Sequence, residues 1–147
     1  MVMGEEELIG QLKMMGIRLT PQRQEIIMLL LKRAEAGGPP LSADEIMQHV
    51  RMRYPSISLD TVYRSLATFT REGLVRELQF RDHSRRFELV HEDDHHHHFV
   101  CIGCGYIMRI PYCPVDCLKR AKECYPEYEI EDHSFTVYGY CPECKDD

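Results

Sequence analysis

The sequence predicts an α+β chain: a helical front closed by a β-hairpin, then a small unit of short strands around one helix. Three observations carry this. Apolar residues recur at helical spacing through the first half and in short strand-like runs through the second. A polar break, His91-Glu92-Asp93-Asp94, falls between the two regimes. Two Cys-x-x-Cys pairs, Cys101/Cys104 and Cys141/Cys144, bracket most of the second half. The expected division is 1–90, a hinge at 91–94, and 95–147.

In the front half, Leu8, Ile9, Leu12 and Met15 fall on one side of a helix that Gly16 ends. Thr20-Pro21 reads as an N-cap hydroxyl followed by proline at the first helical position, opening a second helix through the apolar run Ile26 to Leu31. Gly37-Gly38-Pro39-Pro40 stops it. Ser42-Ala-Asp-Glu45 is a capping box for a third helix running to about Arg53. Ser58 opens a fourth, in which Leu59, Val62, Leu66 and Phe69 form the buried stripe and Gly73 sits past the end. Asp60, Thr61, Tyr63 and Arg64 then lie off that stripe, near the helix start. Leu74 to Phe80 and Arg86 to Val90 read as strands around the polar turn Asp82-His83-Ser84. Helices followed by a hairpin is the order of a winged helix-turn-helix, which presents the N-terminal end of one helix to a DNA major groove.

In the back half the expected strands are His97 to Ile102, Tyr106 to Ile110 and Ile130 to Tyr138, with a helix from Pro114 to Tyr125. A unit of about 55 residues buries little core, so it needs a metal staple or a partner subunit. The acidic start Met1 to Leu8 lacks the pattern of a secretory signal, which points to the cytoplasm, where cysteines hold metals more often than disulfides. No apolar run is long enough to span a membrane.

Net charge is −6, which by itself argues against nucleic acid. Its distribution does not: residues 1–87 carry 13 Lys+Arg against 11 Asp+Glu, and 88–147 carry 5 against 13. A mildly basic front and a strongly acidic back suggest modules with different partners.

The two Cys-x-x-Cys pairs supply four soft thiolates from two tight turns, the closed tetrahedral set of a structural zinc. Cys113, Cys117 and Cys124 form no second pair of this kind and read as packed thiols. His95-His96-His97-His98 leads into Phe99-Val-Cys101; in an extended strand His95 and His97 face one way, His96 and His98 the other. One strand can thus give two imidazoles to each of two metal sites. Imidazole with carboxylate accepts zinc, iron(II), nickel or manganese. No glycine-rich phosphate loop, nucleophile elbow or cofactor fingerprint is present, so no enzyme is expected. A rival from another class is a zinc-stapled metal buffer or metalloenzyme whose helical front does not bind DNA.

Gly16-Ile-Arg-Leu-Thr-Pro-Gln-Arg23, Leu41-Ser-Ala-Asp-Glu45, Asp60-Thr-Val-Tyr-Arg64, the run His95 to Cys104, and His133-Ser-Phe-Thr-Val-Tyr-Gly-Tyr-Cys141 together resemble the ferric uptake regulator superfamily over nearly the whole chain. The resemblance implies a winged-helix DNA-binding domain, a hinge and a small α/β dimerisation domain. It further implies a repressor: a homodimer on a palindromic double-stranded operator, whose DNA affinity follows its metal state. By position, Thr61, Tyr63 and Arg64 resemble recognition-helix contacts, Arg18 a minor-groove residue and Arg23 a phosphate contact. An arginine fork on guanine and a tyrosine ring on a thymine methyl fit those roles.

His95, His97, Asp116 and His133 resemble one metal site in the dimerisation domain; Glu88, His96 and His98 resemble a regulatory site bridging the hinge. Pro40 stands where the DNA-binding domain often supplies a histidine, and Arg109 where some peroxide-sensing relatives have an aspartate. His91 or His83 is the candidate replacement. Those departures favour an iron-type regulator over the peroxide-sensing branch, with zinc-responsive control as the other alternative. The implied ions are a structural Zn2+ and a second divalent metal, Fe2+ or Zn2+, with Mn2+ and Ni2+ within reach of the same donors.

Overall fold

The computed structural model describes residues 4–82, 84–90 and 95–146. The hinge at 91–94, and with it His91, lies outside the described residues, as does His83. The chain divides into two compact units, 1–94 and 95–147.

The first unit opens with helix α1 (Glu5–Met14) and helix α2 (Pro21–Glu35). The Thr20 hydroxyl accepts the Arg23 backbone N–H at 3.2 Å, so the sequence-level cap is the structural one. Strand β1 (Leu41–Ser42) follows, an element absent from the sequence reading, and leads into α3 (Ala43–Arg51). Ser42 and Glu45 form the reciprocal capping box. Ser58 caps α4 (Leu59–Arg71), accepting the Thr61 N–H at 3.1 Å. Each cap satisfies backbone donors that a helix start leaves open. Gly73, at φ 77°, turns the chain out of α4 in the left-handed conformation that glycine adopts without steric cost.

Strands β2 (Val75–Gln79) and β3 (Arg85–Leu89) pair antiparallel, and β1 pairs antiparallel on the far side of β3. The sheet order is therefore β1-β3-β2. Leu8, Leu12, Ile26, Ile27, Leu30, Ile46, Val50, Val62, Leu66, Phe69 and Phe87 belong to one buried cluster. Three N-capped helices with a wing on a shared core make a winged helix-turn-helix.

Arg86 ties this core to the start of α3. Its Nη1 donates to Glu45 Oε1 at 2.7 Å and to the Pro40 carbonyl at 3.4 Å. Glu45→Ala removes both the capping-box acceptor and a partner of a guanidinium that is only 22% exposed. The expected loss is about 1–3 kcal/mol, read as a lower denaturation midpoint at unchanged slope in urea.

The second unit is a three-stranded sheet ordered β5-β4-β6, built from β4 (His97–Cys101), β5 (Ile107–Ile110) and β6 (Thr136–Gly139). The central β4 runs antiparallel to β5 and parallel to β6. Helix α5 (Val115–Cys124) lies between β5 and β6 in the chain. The strand expected over Ile130 to Tyr138 forms only at Thr136–Gly139, the stretch that pairs with β4, and residues 131–135 have no regular structure. Among the described residues of this unit the buried apolar side chains are Cys101, Ile107 and Cys141. Meanwhile Tyr112, Val115 and Tyr128 are more than half exposed. So little interior leaves the sheet and helix in need of a further tie, from a metal or from a partner subunit. No helix among the described residues is long and apolar enough to cross a membrane.

Candidate metal centres and nucleic-acid interface

Cys101 closes β4, and the turn that follows folds back through Gly105 at φ 80°, whose N–H donates to the Cys101 carbonyl at 2.9 Å. The second turn is made alike: the Cys144 and Lys145 N–H groups both donate to the Cys141 carbonyl at 3.0 Å. The four sulfurs gather within 4.8 Å of one another, with Cys104 and Cys141 Sγ 3.8 Å apart. Four sulfurs at about 2.3 Å from a tetrahedral zinc stand about 3.8 Å apart, so the cage has the size of the ion. The same closeness crowds Gly103, where a Cβ would lie 3.0 Å from the Cβ and Sγ of Cys144, tighter than ordinary van der Waals contact.

Charge argues the same way. The backbone N–H groups of Cys141 and Cys104 donate to Cys101 Sγ and lower its pKa to about 6. The neighbouring thiols, Cys141 first, push Cys144 up to about 12. One thiolate forms readily and opposes the next, until a divalent cation compensates all four.

The histidine run divides between the two faces of its strand. On one face His95 and His97 converge with His133 and a cysteine, Cys113. The Nε2 atoms of His95 and His133 are 2.9 Å apart, and those of His133 and His97 3.3 Å. Cys113 Sγ lies 3.3 Å from His95 Nε2 and 3.2 Å from His133 Nε2. Burial, and then the imidazoles of His95 and His133, push the pKa of His97 down, which favours the neutral form a metal requires.

Asp116, the residue expected in this set, is not one of the gathered donors. It sits exposed in the first turn of α5. Pro114 explains the exchange, since it caps α5 and leaves Cys113 in the turn before the helix, where its thiol reaches the imidazoles. Cys113 thus stands among the imidazoles as a candidate donor, where a packed thiol was expected. Cys117 and Cys124 are exposed, which also departs from that reading.

On the other face of β4 the rings of His96 and His98 stand 4.9 Å apart, edge to face. Arg109 lies across the sheet from His98, and its Nη2 is 3.3 Å from His96 Nδ1. In the first unit, Glu88 is buried on β3 and pairs with Arg76 at 3.8 Å.

The first unit also gathers its expected DNA contacts. Arg18, Arg23, Thr61 and Arg64 line one open concavity of about 470 Å³ with Thr20, Gln22 and Ser65. Arg23 Nη1 donates to the Arg18 carbonyl at 3.0 Å, fixing the segment before α2. Arg64 is well exposed and meets Asp60, one turn back, at 2.9 Å. Tyr63 faces elsewhere, under the guanidinium of Arg85 on β3 at 5.4 Å. Arg85 stands at the turn end of the wing, and a one-dimensional pattern cannot place it over α4.

The ferric uptake regulator family model matches residues 14–138. The chain belongs to that family. Members of the ferric uptake regulator family are metal-responsive transcriptional regulators that bind DNA and act as dimers, and this chain is one of them. It is 34% identical over 142 residues to the peroxide-responsive repressor PerR of Staphylococcus epidermidis, covering 97% of this chain and 91% of that protein. Among solved structures, the Vibrio cholerae ferric uptake regulator matches with a TM-score of 0.71 at 30% identity, covering 90% of this chain and 98% of that one. The Helicobacter pylori regulator Fur shares the fold at a TM-score of 0.80, with 24% identity and coverage of 99% and 97%.

Proposed function

We propose that the chain is a cytoplasmic, homodimeric repressor that binds a palindromic operator when a divalent metal, iron(II) in the first place, loads its regulatory site. The observation carrying this is the concavity at the start of α4, where Arg18, Arg23, Thr61 and Arg64 present two kinds of contact, guanidinium and hydroxyl, from one face of the winged unit. Two such faces in a dimer would read two half-sites.

The regulatory donors are Glu88 from β3 with His96 and His98 from β4, a nitrogen-oxygen set that accepts iron(II). Metal held there favours the arrangement of winged units that fits the operator. Without it that arrangement is a minor fraction, and apparent affinity falls by that fraction. Coupling of this kind is typically about 1–3 kcal/mol. Replacing His96 and His98 together by alanine is therefore expected to abolish the metal-dependent gain in DNA affinity, about 5–150-fold, while the zinc held by the four cysteines stays bound. Titration of labelled operator DNA against the variant with and without iron(II) checks it; an undiminished metal response would remove this site from the mechanism.

A second reading, a peroxide-responsive repressor, has the 34–35% identity to the staphylococcal PerR proteins in its favour. Against it stand Pro40 and Arg109 at two positions where that chemistry uses a histidine and an aspartate. Loss of operator binding on adding peroxide to the iron-loaded dimer would favour this second reading.

A further inference from the structure

We infer that the cluster of His95, His97, Cys113 and His133 is a closed zinc site of three imidazoles and one thiolate, a second staple of the dimerisation unit and not a sensing site. The inference deepens the metal-regulator reading and rests on it, because it assigns the two histidine faces of β4 to different ions.

Hydrogen bonding cannot account for the cluster. His133 Nε2 has three donor atoms within 3.3 Å: His95 Nε2, His97 Nε2 and Cys113 Sγ. A neutral imidazole nitrogen carries one proton or one lone pair and so serves one partner well. Three lone-pair atoms converging on a fourth need a shared cation. The spacing suits zinc. At about 2.0–2.1 Å for nitrogen and 2.3 Å for sulfur, tetrahedral geometry separates nitrogens by about 3.3 Å and nitrogen from sulfur by about 3.6 Å. The distances between these atoms, 2.9 and 3.3 Å for nitrogen pairs and 3.2 to 3.3 Å for nitrogen to sulfur, match within a few tenths of an ångström.

The thiol decides the ion. Three imidazoles with a carboxylate suit zinc, iron(II), manganese and nickel alike, whereas a thiolate in the fourth place moves the preference toward zinc and away from manganese. Four protein donors also leave no position open for water or substrate. The place in the fold agrees with a structural role. His95 and His97 come from β4 and the residues just before it, Cys113 from the turn into α5, and His133 from the segment before β6. One ion therefore ties together the three segments of a unit that, among its described residues, buries almost no apolar side chain.

The test uses the full chain with zinc in place on its four cysteines and cobalt(II) as the added metal. Tetrahedral cobalt with an intense visible band and a near-ultraviolet sulfur-to-cobalt charge-transfer band is expected, the latter lost in Cys113→Ser and kept in Cys117→Ser. Cys113→Asp returns a carboxylate to the cluster and guards against a simple folding defect. That variant should still bind cobalt, without the sulfur band, and its preference for zinc over manganese should fall at least about 10-fold. An unchanged charge-transfer band in Cys113→Ser, or a weak six-coordinate spectrum in the unaltered protein, would overturn the assignment. No DNA is present, so a failure here is distinct from a failure of the repressor reading, which only operator binding can reveal.

Discussion

Replacing Cys101 and Cys104 together by serine is expected to release the zinc of the four-cysteine site, strongly destabilise residues 95–147 and weaken the dimer, since only the cluster of His95, His97, Cys113 and His133 then ties that unit. The magnitude follows from what else holds that unit. Its buried apolar side chains among the described residues are two of the four clustered cysteines and Ile107, so hydrophobic burial supplies little. A structural zinc contributes about 10–16 kcal/mol of apparent binding energy at neutral pH, which equals the whole stability of an ordinary domain. The winged unit has its own core, centred on Phe69, Leu66 and Val62, and should remain folded. Zinc content, sedimentation and circular dichroism of the double variant check the three parts. A dimer that keeps its strand signal without zinc would contradict this account of the second unit.

The second large effect is expected at the DNA face. Arg64→Ala should weaken operator binding by about 1–3 kcal/mol, or 5–150-fold, if its guanidinium forks onto a base edge. Its partner Asp60 is exposed and one helical turn away, so the ion pair costs little to open when DNA arrives. Arg23→Ala should behave differently. Removing a guanidinium that meets phosphate weakens binding to all sequences about equally and lowers the slope of log affinity against log salt by about 1. Affinities of both variants for operator and for unrelated DNA, at several salt concentrations, separate the roles. Equal loss on both DNAs for Arg64→Ala would make it a backbone-binding residue.

What could be read from the sequence was local. Thr20, Ser42 and Ser58 announced three helix starts because a cap satisfies donors two or three residues away, and nothing distant is needed. The Cys-x-x-Cys pairs were legible for the same reason, each being a single tight turn. Strand β1 was not, since two residues become a strand only by pairing with β3 more than forty positions on. Ile130 to Phe135 carried strand-like alternation, but only Thr136–Gly139 finds a partner in β4, and pairing is not local information. Family position placed Asp116 in the His95 set; the turn at Pro114 puts Cys113 there instead, and no periodicity encodes which of two residues three apart reaches across to His133. Tyr63 was placed on the right helix, while its contact with Arg85 depends on the wing folding back over α4.

The most direct measurement of the central claim is a metal titration of DNA binding. The purified chain is treated with a mild chelator that leaves tightly held zinc. It is then titrated with iron(II), zinc, manganese and nickel while selective binding to a random-sequence DNA library is followed at fixed salt. The account predicts that a palindromic sequence is enriched only after metal is added, with iron(II) sufficient and one added ion per chain enough. Zinc retained by the four cysteines with no metal able to produce selective DNA binding would contradict it, and would leave a zinc-stapled metal-binding protein in place of a repressor.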